Sequence, residues 1–178
     1  MSWILLFTIS VLASPPKGIL RERPVLQAPA RTAEHPVMLV NVHTQEVLVM
    51  PTPGQSLVSG ATLSRFLRCH FSGTTRPMDA KLLDLFEEIT KQFNIHEIHI
   101  YSAYRSPRYN TMLRKRLGQV SPNSYHVRGQ AVDIVVPSVD LAKLASFMRK
   151  IKRGGVGYYP GSEFVHIDTG PVRFWEGK

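Results

Sequence analysis

Ser124-Tyr125-His126-Val127-Arg128-Gly129-Gln130-Ala131-Val132-Asp133 and, downstream, Phe164-Val165-His166-Ile167-Asp168 are the two stretches on which the reading of this chain turns. Residues alternate faces along a strand. In a strand over Ala131–Pro137, Asp133 therefore shares a face with Ala131 and Val135, while Val132, Ile134 and Val136 point the other way, into a core. In a strand over Phe164–Thr169, His166 and Asp168 share one face with Phe164, and Val165 and Ile167 take the opposite one. Gly129 permits a tight bend that folds His126 back over the first strand. If the two strands pair, His126, Asp133 and His166 converge. Two imidazoles and one carboxylate suit zinc in a site that keeps a fourth position open for chemistry.

Outward from this pair, the elements follow from local signals. Val37–Asn41 and Glu46–Met50 read as a hairpin around His43-Thr44-Gln45, and Pro51 to Gly60 as loop. Cys69, the single cysteine, falls in a helix over Ser64–Phe71 as a half-buried, inert thiol. Asp79 caps a helix carrying Leu82, Phe86, Ile89 and Phe93 at helical spacing. Ile98 and Ile100 mark a strand. Ser106-Pro107, a capping hydroxyl followed by proline at the first helical position, opens a helix to Leu117. Ser138 caps a helix whose buried stripe is Leu141, Leu144, Ala145, Met148 and Ile151. Gly155–Tyr159, Phe164–Thr169 and Val172–Trp175 close the chain as short strands. Helices first and a late run of strands predict an α+β fold with a mainly antiparallel sheet.

The 178 residues are enough for one domain with a full core, and 43% apolar with 20% charged residues is ordinary for a globular chain. Trp3 to Ala13 is a continuous apolar run too short to span a bilayer, with Val11 and Ala13 as the small residues of a cleavage site. Residues 1–13 thus read as a signal peptide, with an uncleaved anchor or a core strand as the competing readings. Residues 14–36, rich in Pro, Ala and Arg, read as a linker, and 37–178 as the folded domain. The formal charge of +9 favours weak attraction to anionic envelope surfaces. The basic residues form no DNA- or RNA-reading motif, so nucleic acid is not expected as a partner, and the chain is expected to be a monomer. His35, His43, His70, His96 and His99 gain nothing from the ligand pattern and are expected to be solvated or hydrogen-bonded.

The Ser-x-His-x-x-Gly-x-Ala-x-Asp run from Ser124 to Asp133, the Tyr104-Arg105-Ser106-Pro107 turn and His166-x-Asp168 resemble the M15-type zinc peptidases. Gly154-Gly155-Val156-Gly157-Tyr158-Tyr159-Pro160 leading to Phe164 through Gly170 is similar to the murein endopeptidase K branch, the DUF882 group. So are Leu67 to Leu85 and the Asn41 to Thr44 turn, and the resemblance covers residues 37–175. It implies the hedgehog/DD-peptidase fold, a zinc ion on His126, Asp133 and His166, and export to the periplasm or cell envelope. It also implies peptidoglycan as the partner, with hydrolysis of its peptide cross-links. A D,D-carboxypeptidase of the same fold and a non-catalytic wall-binding module are the alternatives. Arg105 would stabilise the oxyanion or hold a substrate carboxylate, with Ser124 and Tyr159 beside the substrate. Glu163 is the first candidate for general base, three residues before His166, and Asp168 is the second, as base or as the group that orients a ligand.

Overall fold

The computed structural model describes residues 36–50, 58–118 and 120–177. The signal-peptide and linker readings fall on residues outside these. Within them, seven strands and four α-helices follow one another as β1 (Val37–Asn41), β2 (Val47–Met50), α1 (Gly60–Phe66), α2 (Lys81–Phe93), β3 (Glu97–Ser102), α3 (Pro107–Leu117), β4 (Ala131–Val135), α4 (Leu141–Ile151), β5 (Gly155–Tyr159), β6 (Phe164–Asp168) and β7 (Arg173–Glu176). The strands form one sheet in the order β2-β1-β3-β4-β6-β5-β7. Four of its neighbouring pairs are antiparallel, and β1–β3 and β5–β7 are parallel. The fold is α+β with a mostly antiparallel sheet, as the element order predicts.

The two sheet faces have opposite characters. Leu39, Ile98, Ile100, Val132, Ile134, Val165 and Ile167 occupy one parity and are buried in a single apolar cluster with Leu63 and Phe66 of α1, Leu82, Phe86 and Ile89 of α2, and Leu144 and Met148 of α4. Each such aliphatic or aromatic side chain contributes about 1.5–3 kcal/mol on burial, so this face and its three helices hold the domain together. The other parity carries Asp133, His166 and Asp168, and no helix of the core packs against it. Helix α3 is different in kind: Asn110 is its one buried residue, and it has three basic residues in its last turn. It stands beside the open face instead of filling the core.

Some local signals resolve differently from the sequence reading. Helix α1 stops at Phe66, because Leu67 turns out of it and its carbonyl accepts the N–H of Tyr104 at 3.0 Å. Cys69 therefore lies in the following turn and is fully buried, not half-buried in a helix. Helix α4 is capped by Asp140, which accepts the Lys143 N–H at 2.9 Å, and not by Ser138. Asp79 stands one residue ahead of the formal cap of α2, with one carboxylate oxygen on the Lys81 N–H and the other on the Thr169 hydroxyl. Among the described residues no helix is long and apolar enough to cross a membrane.

Candidate metal centre

Strands β4 and β6 pair antiparallel with Asp133 directly opposite His166. This register brings the two ligand candidates to the same point on the open face. His126 reaches them from a tight loop, in which Ser124 Oγ accepts the His126 N–H at 3.3 Å and the His126 carbonyl accepts the N–H groups of Gly129 and Arg105. Gly129 has φ +73°, and a Cβ there would stand 2.5 Å from the Pro77 carbonyl oxygen. Only glycine fits, both for backbone conformation and for space.

The three side chains are buried, at 2% exposure for His126, 3% for Asp133 and 8% for His166. His126 Nε2 lies 3.1 Å from Asp133 Oδ1 and 3.1 Å from His166 Nδ1, and His166 Nδ1 lies 2.8 Å from Asp133 Oδ1. Three donors 2.0–2.1 Å from one tetrahedral zinc ion would stand about 3.3 Å apart, so the triangle is close to the size that such an ion needs. The hydrogen bonds on the far sides of the rings match. His126 Nδ1 donates to the Ala103 carbonyl at 2.7 Å, and His166 Nε2 donates to Asp168 Oδ2 at 3.0 Å. Each imidazole thereby presents its other nitrogen inward, where Asp133 Oδ1 also points. With both rings neutral, this buried cluster of two ring nitrogens and a carboxylate oxygen presents three acceptors that could hold a metal ion.

Asp133 is itself held in place. Its Oδ2 accepts from Arg105 NH2, while Arg105 Nε donates to Ser102 Oγ at 2.9 Å. Among the described residues nothing bonds the remaining NH1 of Arg105, and Arg105 lines the cleft above the cluster. Burial alone would raise the Asp133 carboxyl, but the neighbouring His126 and Arg105 charges more than reverse this and hold it well below the usual carboxylate range. Burial, with Arg105 beside it, pushes His126 down to about 4, which favours the neutral imidazole that a metal would need. For His166 burial acts downward, but its bonds to Asp133 and Asp168 outweigh that and raise it.

Asp168 is fully buried and its acceptor capacity is used. Oδ1 accepts from Gly155 N at 3.2 Å, Gly170 N at 2.8 Å and Arg173 NH1 at 3.1 Å, and Oδ2 from His166 and from Arg173 NH2 at 2.6 Å. Burial raises this carboxyl, yet the bonds from His166 and Arg173 bring it down to about 2. A carboxylate so placed orients an imidazole and is a poor proton acceptor. Glu163 is exposed, with φ +56°, in the turn between Pro160–Ser162 and β6. It does not line the cleft, although Ser162 and Phe164 on either side of it do.

The cluster lies in a cleft of about 920 Å³. Its lining comes from both halves of the sheet. From the β1–β3 side come His43, His70, Tyr101 and Tyr109, and from the β5–β7 side Tyr159, Phe164, Arg173 and Trp175. His43 and His70 stack with centroids 3.8 Å apart, and His70 Nε2 lies 3.1 Å from the Tyr109 hydroxyl. On the opposite side Tyr159 stacks on Phe164 at 4.5 Å and its hydroxyl accepts the Trp175 indole N–H at 2.9 Å. Trp175 lies flat over Gly157, where a Cβ would stand 2.5 Å from the indole. Of the residues singled out from sequence, His126, Asp133, His166, Arg105, Ser124 and Tyr159 come together at the cleft, with Asp168 behind His166. Apart from Tyr159, the aromatic and histidine walls do not follow from the sequence reading. The alternation of Arg173 and Trp175 along β7 was the available signal for one of them.

A family model described as Peptidase_M15_2, peptidoglycan L,D-endopeptidase MepK, matches residues 30–175. The chain is 38% identical over 117 residues to the probable peptidoglycan L,D-endopeptidase MepK of Haemophilus influenzae, an alignment covering 65% of this chain and 63% of that protein. It is 36% identical over 116 residues to the peptidoglycan L,D-endopeptidase MepK of Escherichia coli K12, covering 65% and 64%. The chain thus spans just under two thirds of the length of each of these relatives. With the family model matching nearly the whole described region, ligand cluster included, the chain belongs to the Peptidase_M15_2 family.

Proposed function

We propose that this protein is a zinc-dependent peptidoglycan peptidase of the cell envelope that hydrolyses peptide cross-links. The observation that carries the reading is the inward convergence of His126 Nε2, His166 Nδ1 and Asp133 Oδ1 at the bottom of a cleft, each fixed from behind by a separate partner. The names of the two relatives support peptidoglycan as the substrate class. When bound, zinc supplies a Lewis acid for the amide carbonyl and lowers the pKa of water.

The protein's own groups supply the rest. Arg105, anchored on Ser102 and Asp133, offers NH1 to a substrate oxygen, where a preorganised cation stabilises developing negative charge. Ser124 holds the His126 loop and faces the cleft, and Tyr159 with Trp175 forms a rigid wall for the substrate chain. Asp168 orients His166 and does not take the proton. Glu163 is the base in this reading on its three-residue spacing from His166 alone; it stands exposed in the turn before β6, outside the cleft lining, and would have to swing inward to act. The cleft takes its lining from strands on both sides of the β4–β6 pair, leaving room for peptide in both directions. That favours an endopeptidase over a carboxypeptidase.

The test is a digest of cross-linked muropeptide dimers by the zinc-loaded protein, read by liquid chromatography and mass spectrometry. Monomers should appear, should vanish with a chelator, and should be absent for His126→Ala; the fragment masses identify the bond. Glu163→Gln should lower kcat by about 10²–10⁴-fold while leaving zinc content unchanged, and wild-type turnover in that variant would remove Glu163 from the mechanism. Intact dimers alongside stoichiometric zinc would favour a wall-binding module instead.

A further inference from the structure

We infer that Arg173 is a positioning residue for the metal centre: it locks the Asp168 carboxylate in the one orientation that holds His166 Nε2 and turns His166 Nδ1 toward the ion. The inference rests on the proposed metal site and extends it to a residue outside the ligand set. An arginine–carboxylate pair on a protein surface ordinarily contributes little. This one differs in three respects. Asp168 is fully buried, while Arg173 is 37% exposed and lines the cleft. The grip is two-pronged, NH1 on Oδ1 at 3.1 Å and NH2 on Oδ2 at 2.6 Å, the geometry that fixes a carboxylate plane as well as its distance. Apart from His166, Arg173 is the sole hydrogen-bond partner of Oδ2 among the described residues, whereas Oδ1 has the Gly155 and Gly170 N–H groups as well. Rotation of the carboxylate away from His166 is therefore opposed at both oxygens by this guanidinium, and at Oδ1 alone by the two backbone N–H groups.

The guanidinium is in turn held. Its carbon stands 4.4 Å from the centre of the Tyr125 ring and 5.2 Å from that of Trp175, and NH1 also donates to the Pro171 carbonyl at 3.0 Å. Tyr125 belongs to the loop that carries His126, and Trp175 approaches His166 with ring centroids 5.2 Å apart. Space for the pair is made by Gly155: a Cβ there would meet Asp168 Oδ2 at 2.5 Å and Arg173 NH1 at 2.6 Å. The backbone of β5 is thus shaped around the arginine–aspartate pair.

Outer partners of metal-bound histidines typically change metal affinity by about 10–100-fold. Zinc affinity of the full chain is to be measured by competition with a chromophoric chelator, with cobalt(II) substitution giving a visible spectrum of the site. Arg173→Met should bind zinc about 10–100-fold more weakly, release it faster, and show an altered cobalt spectrum. Arg173→Lys, which keeps the charge but loses the two-pronged grip, should fall between, and it decides the matter if Arg173→Met does not fold. Gly155→Ala should weaken zinc in the same direction with Arg173 still present. Zinc affinity within about twofold of wild type in the folded variants, with an unchanged cobalt spectrum, overturns the inference and leaves the metal site standing. Wild-type protein without stoichiometric zinc overturns both.

Discussion

Removing Arg105 exposes how the centre is balanced electrostatically. Arg105→Met keeps the stem of the side chain and deletes the guanidinium that bonds Asp133 Oδ2 and Ser102 Oγ. The pair is buried, with 14% and 4% of the two side chains exposed. Deleting one member of such a pair leaves a charge without its partner and costs about 3–5 kcal/mol. Asp133 keeps His126 and His166 as neighbours, so the lower end, about 3 kcal/mol, applies to the metal-free protein. For a domain of this size each kcal/mol moves the melting temperature by about 2–4 °C, giving a loss of about 6–12 °C in EDTA. Zinc would supply positive charge at Asp133 Oδ1, and the gap between variant and wild type should shrink to less than half when the ion is present. Turnover of muropeptide dimers should fall by about 10²–10³-fold if NH1 also meets the oxyanion. Arg105→Lys retains the charge but cannot bridge Ser102 and Asp133 together, so it should recover stability better than turnover. The assay is paired: thermal melts with EDTA and with zinc, then kinetics. A metal-free Arg105→Met that melts within about 2 °C of wild type would refute the reasoning, since Asp133 would then not depend on Arg105 for its charge.

Gly129→Ala should destabilise the domain by about 1–3 kcal/mol, from the positive φ and the Pro77 carbonyl in the way of a Cβ, and should reduce zinc occupancy because His126 rides on the same loop; melts and metal content read the two effects. His70 gives a pH signature: burial, with His43 and Arg105 nearby, lowers it from 6.5 to about 4. Between those values the unfolded chain takes up the proton and the folded one does not, so stability falls as the pH drops from 6.5 towards 4. His70→Gln should fall less steeply over that interval in parallel melts, and identical slopes would remove His70 from the account.

The parts of the fold set by short-range pattern were legible. Alternation in Ala131–Val135 and Phe164–Asp168 assigned every residue of both strands to its observed face, and the Ser106-Pro107 signal placed the start of α3 on the residue. Where two local solutions compete, tertiary structure chose. Ser138 and Asp140 are both good caps, and a turn in which the Val139 N–H bonds the Val136 carbonyl leaves Asp140 at the start of α4. Helix α1 ends early because Leu67 is recruited by the Tyr104 backbone, 37 residues away, which no local signal encodes. The convergence of His126, Asp133 and His166 was visible because strand parity and a glycine bend carry it. The histidine wall was not: His43 follows β1, His70 follows α1, and their stacking depends on how two turns meet.

That division also explains the character of the site. The open face of β4 and β6 buries Asp133, His166 and Asp168 without any helix of the core over them, so these groups must be stabilised by one another. Two carboxylates and two guanidiniums, Asp133 with Arg105 and Asp168 with Arg173, cancel, and with both imidazoles neutral, as metal binding requires, the cluster carries no net charge of its own. A divalent ion here would keep its full excess of two positive charges, whereas two unpaired carboxylates would have quenched it. In a buried setting that excess acts strongly on any oxygen that approaches the open position. In the proposed peptidase the two arginines would thus do more than hold side chains in place: they would keep a metal on a carboxylate-containing site electrophilic, which is what hydrolysis of an amide requires.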